Sequence, residues 1–351
     1  MFTVLDVGQL LLGIAILYWG AEWLIRGSAA LARAWGVKPL VIGLTVVAYG
    51  TAAPELAVAT KTALAHSQPI ALGTVIGSCA ANISLILGLT ALIAPPTVDG
   101  RIIRREVPVL VGSAIAVPIL FRNGVLSQVE GALLILCAIV FTIVTLTVSA
   151  RMDLDTSMAD LEPEPSASAS LPEAGASVAG GMSRASTAAE SGSSIGGRGR
   201  PRVSRSAAAV MSLVGLVLLV TGSSLFVRGG RGIAAEAGMS ERMLGLTVIS
   251  LGCALPELIG SLVAAARGHA ALAVGSVIGS NLLNVFLVLG VTAYLGPIRL
   301  GERMHLVDLV GLVVITLLGV VTLRGSRRIS RLEGAMLVLA YVAFIVCAAI
   351  L

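Results

Sequence analysis

The chain has 351 residues, 56% of them hydrophobic and only 12% charged, with a mean hydropathy of +0.97. Soluble domains are roughly one-quarter charged, so this composition excludes a soluble globular protein and assigns the chain to a lipid bilayer. The net charge of +5 reflects which loops hold the basic residues, and it is no signal for nucleic acid.

Apolar stretches near the roughly 20 residues needed to cross a bilayer fall at 4–25, 38–65, 70–94, 106–121 and 126–149. A second set follows at 207–227, 240–266, 271–296, 304–323 and 332–351. Span 1 contains Tyr18-x-Gly20-Ala21-Glu22-Trp23, then Arg26-Gly27-Ser28. Span 2 carries Gly43-Leu-Thr-Val and, further on, Gly50-Thr-Ala-Ala-Pro-Glu55, and span 3 carries Gly73-x-Val-Ile-Gly77-Ser78-x-x-x-Asn82. Span 4 is short, and span 5 opens at Ser127-Gln-Val-Glu130, a capping box. Between the sets lies a segment rich in Ser, Ala, Gly and Pro, with acids first and arginines last. It lacks the apolar content to order itself and is expected to be a disordered linker and tether.

The second set repeats the first. Residues 20–90 read onto 222–292 at a constant offset of 202, with about 26 of 71 positions identical. Gly245-Leu-Thr-Val, Gly252-Cys-Ala-Leu-Pro-Glu257 and Gly275-x-Val-Ile-Gly279-Ser280-x-x-x-Asn284 answer the motifs of spans 2 and 3, and Ser330-Arg-Leu-Glu333 answers the capping box. Five spans per copy is an odd number, so the second copy enters the membrane upside down. The expected architecture is an all-α, polytopic membrane protein of ten transmembrane helices. It comprises a five-helix repeat over 1–149, a cytoplasmic linker over 150–206 and an inverted five-helix repeat over 207–351.

Loops between spans 1–2, 3–4, 5–6, 7–8 and 9–10 hold about 17 of the 24 Lys and Arg residues, which assigns that side to the cytoplasm. Both termini then face outward. No basic n-region or cleavage site precedes span 1, so it is expected to be retained, and the whole suits a bacterial inner (plasma) membrane.

Inverted repeats place a shared site near the bilayer midplane. Pro54 and Pro256 each remove a backbone donor and clash with the carbonyl four residues earlier, those of Gly50 and Gly252. A kinked or unwound turn is therefore expected, freeing carbonyls around Ala48 to Thr51 beside Glu55, and likewise near Ser250 beside Glu257. Two unpaired carboxylates in apolar spans cost several kcal/mol unless a cation or proton compensates. Ser78 and Asn82 share a helix face, as do Ser280 and Asn284. Carboxylates, hydroxyls and free carbonyls are hard oxygen ligands that suit Ca²⁺, Na⁺ or Mg²⁺. Gly73, Gly77, Gly275 and Gly279 would let these helices approach closely.

The two Gly-x-x-x-Pro-Glu elements, each followed by Gly-Ser-x-x-x-Asn, and the span 1 motif together resemble the cation/calcium antiporter superfamily, in particular its prokaryotic sodium/calcium exchanger branch. The resemblance covers all ten spans and omits the linker. It implies ion sites between spans 2, 3, 7 and 8, with spans 1 and 6 sliding across that core. It also implies that Glu55 and Glu257 hold Ca²⁺ and share Na⁺, that Thr51, Ser78, Asn82 and Ser280 coordinate or line the site, and that Ala48 and Ser250 offer backbone carbonyls. Several positions depart from the branch. Ala52 and Ala254 stand where it has Ser before Pro-Glu, Cys253 stands in place of Thr, and Asn284 stands where Asp is common. Two carboxylates balance one Ca²⁺ or two Na⁺; a third Na⁺ would leave surplus positive charge at low dielectric.

The function implied is secondary antiport of Ca²⁺ against Na⁺ by alternating access. The rival is H⁺/Ca²⁺ (or other cation) antiport, with the same glutamates carrying protons; Pro54 and Pro256 favour the sodium branch. An intramembrane enzyme would need a nucleophile with a base, or a metal with His ligands. His66, His269 and His305 sit near span ends, outside the repeats, and Cys79, Cys137, Cys253 and Cys347 form no Cys-x-x-Cys motif. No enzyme activity and no bound cofactor are expected. The expected partners are inorganic cations and lipid, with no protein partner implied.

Overall fold

The computed structural model describes residues 4–35, 43–64, 67–96, 100–159, 204–236, 238–300, 306–324 and 328–350. Among them the chain forms ten helical rods. The first copy contributes α1 (Val4–Trp35), α2 (a π-helical turn Gly43–Val47, then Ala48–Thr51 and Ala53–Leu64), α3 (Gln68–Ala80, a π turn Ala81–Ile86, and Leu87–Ile93), α4 (Gly100–Leu120) and α5 (Gln128–Ala159). The second contributes α6 (Arg205–Glu236), α7 (Glu241–Leu244, a π turn Gly245–Ile249, and Ser250–Ala266), α8 (Ala270–Leu283, a π turn Asn284–Leu289, and Gly290–Leu295), α9 (Leu306–Arg324) and α10 (Arg331–Ile350). Eight of these helices are long and apolar enough to cross a membrane. The exceptions are α2, which is broken into short pieces, and α4, which opens on Arg101, Arg104, Arg105 and Glu106 and contains Pro108 and Pro118.

Two expectations change. The linker was read from residue 150 onward, but α5 runs on to Ala159: no Gly or Pro interrupts Arg151 to Ala159, and the first breaker is Pro163. At the other end α6 already begins at Arg205, inside the expected linker; the rest of the expected disorder, at 160–203, lies outside the described residues, as do His66 and His305. An all-helical chain was also expected, yet Val125–Leu126 (β1) pairs antiparallel with Ile298–Arg299 (β2). The Ile329 N–H donates to the Pro96 carbonyl at the matching place in the other copy.

Both capping boxes form. Ser127 donates through N–H and Oγ to Glu130 Oε2 at 2.7 and 2.8 Å, and Ser330 does the same to Glu333 at 2.7 and 2.8 Å. Satisfying these otherwise orphaned donors fixes where α5 and α10 begin.

Burial sorts the rods into two layers. The spanning windows of α3 and α8 are 94% and 89% buried, whereas those of α5 and α10 are 28% buried and expose residues such as Leu133, Ile139, Leu339 and Val346 to the surroundings. A core is thus ringed by helices whose apolar outer faces meet lipid, as a bilayer solvent demands. Within the core, α3 lies along α7 and α8 along α2. A Cβ on Gly77 would stand 2.5 Å from the Leu246 carbonyl oxygen, and one on Gly279 would stand 2.9 Å from the Leu44 carbonyl oxygen.

Helices α1 and α6 pack against each other over most of their length, running in opposite directions. Gly13 meets Gly222, Gly20 meets Gly215, and Gly27 meets Ser212. The recurring spacing of these small residues keeps one close-contact seam facing the partner helix. Where this pair meets the core, Glu22 of α1 accepts ion pairs from both Arg26 and Arg267, the latter just beyond the end of α7.

Arg242 of α7 forms a two-pronged bridge to Asp308 of α9, with both contacts at 2.7 Å and both side chains buried. Removing one partner strands the other charge, so Asp308→Asn or Arg242→Met should cost about 3–5 kcal/mol. The Arg242→Met/Asp308→Leu double variant should recover most of that loss. Denaturation in detergent, followed by helical circular dichroism, measures both.

Candidate functional site

The two proline-glutamate elements lie at the centre of the core. Glu55 is 0% exposed and Glu257 1% exposed, and the two charges act on one another. Asn82 and Asn284 are wholly buried and both lie within π turns, which widen the helix locally and tend to mark functional positions. Ser78 approaches Glu55 within one copy, while Glu257 is approached by Ser280 of its own copy and Thr51 of the other. The Thr51 and Ser280 hydroxyls are 3.4 Å apart. Cys253 is buried within reach of both glutamate charges. All ten residues singled out from sequence, from Ala48 and Thr51 to Ser250 and Asn284, are buried.

The backbone meets expectation in one copy and departs from it in the other. α2 breaks at Ala52, a turn residue between Ala48–Thr51 and Ala53–Leu64, whereas no break opens at Pro256. Ala52 N–H bonds the Ala48 carbonyl at 3.0 Å, and α7 continues from Ser250 through Pro256 to Ala266. The carbonyls expected to be free are engaged. Ala48 also accepts from Thr51 Oγ1 at 3.4 Å, and Ser250 accepts from Ser78 Oγ at 3.3 Å. Irregularity sits one turn earlier, in the π turns Gly43–Val47 and Gly245–Ile249. A membrane helix can re-satisfy groups freed by proline through neighbouring hydroxyls. That occurs at Gly252, whose carbonyl accepts from Ser223 Oγ of α6 at 2.9 Å. Ser223 was not singled out from sequence, although it follows from asking what caps the carbonyl four residues before Pro256. At the matching position of α1 stands Ala21, which has no hydroxyl.

The side chains of Glu55, Glu257, Asn82 and Asn284 leave every polar atom buried and without a hydrogen-bond partner among the described residues. Such orphaned groups are costly and rare in folded proteins. Four carboxylate oxygens and two amide oxygens, flanked by the hydroxyls of Thr51, Ser78 and Ser280, form a hard-oxygen donor set. Oxygen donors of this kind suit a hard cation rather than a soft metal.

Two cavities flank this cluster. One, of about 530 Å³, extends from Pro54 and Ser223 past Val227 and Lys61 to Arg231. The other, bounded by Leu24, Thr51, Pro256, Ser261 and Ser276, is closed to about 10 Å³.

Both halves of the chain, residues 5–147 and 207–349, match the family model described as sodium/calcium exchanger protein. The sodium/calcium exchanger MaX1 of Methanosarcina acetivorans is 29% identical over 361 residues, covering 96% of each chain. CaxA of Alkalimonas amylolytica, which carries an antiporter name, is 31% identical over 338 residues, covering 95% of each chain. A solved structure of the sodium-calcium exchanger NCX_Mj soaked with Na⁺ and Ca²⁺ superimposes with a TM-score of 0.74 at 28% identity, over 98% of each chain. These relatives are transporters, not enzymes.

Glu55→Gln removes one uncompensated buried charge. The cation-free protein should melt higher, and the rise in melting temperature on adding Ca²⁺ should vanish. If that rise survives in both Glu55→Gln and Glu257→Gln, the cation is held elsewhere.

Proposed function

Starting from a chain that belongs to the sodium/calcium exchanger protein family, a multi-pass membrane family of cation antiporters, we propose that it exchanges Ca²⁺ for Na⁺ by alternating access at the Glu55–Glu257 site. The observation that carries this reading is the cluster of unpartnered buried carboxylates and amides. In the bilayer interior such a cluster is tolerable only with a compensating cation or proton.

On this reading Ca²⁺ bridges Glu55 and Glu257, with the Asn82 and Asn284 carbonyl oxygens and nearby hydroxyls completing its shell. Monovalent ions compete for the same oxygens. The empty, doubly negative site crosses poorly, whereas either neutralised state can switch, and this enforces exchange. The ten rods are read as ten crossings in two inverted repeats. Support comes from the opposed directions of α1 and α6, and from a contact between positions 202 apart, where Cys79 Sγ meets the Asn281 carbonyl oxygen at 3.9 Å. The wide and closed cavities support one access state, open on the side where α2 and α6 end. Counting Lys and Arg assigns that side to the exterior, with the linker cytoplasmic and both termini outside. The α1–α6 pair is the element that would slide.

The test is ⁴⁵Ca²⁺ uptake into reconstituted vesicles under Na⁺, K⁺ or H⁺ gradients imposed separately. A Na⁺ gradient should drive uptake, and Glu55→Gln and Glu257→Gln should abolish it. Uptake driven by a pH gradient alone would replace Na⁺ with H⁺ as the coupling ion. With Asn284 in place of an acid, two carboxylates balance two Na⁺ and no more. The Ala52→Ser/Ala254→Ser/Asn284→Asp variant should accordingly steepen Na⁺ dependence; an unchanged dependence would sink that account of the site's charge.

A further inference from the structure

The wide cavity has a property at odds with a passage for cations. Its wall carries Lys61, Arg228 and Arg231 against one acid, Glu241. Among the described residues no salt bridge neutralises any of the three cations. Lys61 and Arg228 are exposed, while Arg231 is half-buried, its Nε without a partner and its charge felt at Cys253 beside the glutamates. The opposite face differs. At offset 202 the matching residues are Val263, Arg26 and Ala29, and Arg26 is held by Glu22. Among the described residues no charged one lines the closed cavity.

We propose that Lys61, Arg228 and Arg231 form a charge filter that admits monovalent cations to the wide cavity in preference to divalent ones. This rests on the antiport reading above for its consequence, though not for its electrostatics. A positive potential lowers the local concentration of a monovalent cation by its Boltzmann factor, and that of a divalent cation by the square of that factor. A threefold depletion of Na⁺ is therefore about a ninefold depletion of Ca²⁺. Screening acts over about 8 Å at physiological salt, so the effect is local to the mouth and weakens as salt rises. On the exterior face the filter hinders recapture of Ca²⁺ that has just left, while leaving Na⁺ better able to compete for the glutamates. The residues set selectivity by position; none of them touches the transported ion at its site.

The potential can be read without transport. Ser224 lines this cavity and is exposed. In full-length reconstituted Ser224→Cys protein, with the more accessible Cys137 and Cys347 changed to Ser, a negatively charged methanethiosulfonate should react about tenfold faster than a positively charged one, after normalising each to a free thiol. Adding Lys61→Gln, Arg228→Gln and Arg231→Gln should bring the ratio near one, and so should molar salt with the native charges in place. A ratio near one in the parent, or one unmoved by both treatments, overturns the proposal. In vesicles the triple variant should lower the half-saturating Ca²⁺ on this face about ninefold, and the half-competing monovalent concentration about threefold; equal shifts overturn it. Failure of the parent to exchange Ca²⁺ at all would count against the proposed function, while the thiol measurement still judges the filter.

Discussion

The core of this molecule is arranged around two carboxylates held in the low-dielectric interior with no hydrogen-bond partner among the described residues. Burying a charge without a partner is among the most expensive acts in protein structure. Here it is committed twice, within range of mutual repulsion, and accompanied by two equally unpartnered amides. A core of helices can hold such a cluster only if it is rigid. The close approaches at Gly77 and Gly279 supply that rigidity by bringing the backbone of α3 against α7 and that of α8 against α2.

The surrounding layer solves a different problem. Helices α1 and α6 make a tight seam with each other, yet an ion pair on partly exposed arginines is a prominent polar tie between α1 and the core. The acid of that tie, Glu22, is buried while its arginines reach the surface. On the proposed reading it is one of the contacts that must re-form when the α1–α6 pair slides over the core.

Much of this was legible in the residues. The offset between copies, the proline-glutamate elements and the capping boxes were enough to single out Glu55, Glu257, Asn82 and Asn284, each of which is buried with its polar atoms unpartnered among the described residues. The conformation of the backbone was not. Proline at positions 54 and 256 argued for an irregular turn in both copies; α2 does break at Ala52, but in α7 a hydroxyl from Ser223 satisfies the Gly252 carbonyl and the helix runs on through Pro256. Such compensation is a tertiary contact, invisible to reasoning along one helix. The extension of α5 to Ala159 escaped notice for a related reason: composition averaged over a long polar segment concealed a stretch at its start that contains no helix breaker.

The bond from Ser223 to the Gly252 carbonyl has an effect beyond capping. It joins an outer helix to the proline turn of the core, and any shift of α6 along α7 must break it, whereas Ala21 gives α1 no such tie to α2. A hydrogen bond of this kind is worth about 1 kcal/mol net, about a factor of five in an equilibrium constant. On the proposed alternating-access reading the two half-cycles are therefore unequal in energy, despite the shared motifs of the copies that build them, and the resting population leans toward one face before any ion arrives.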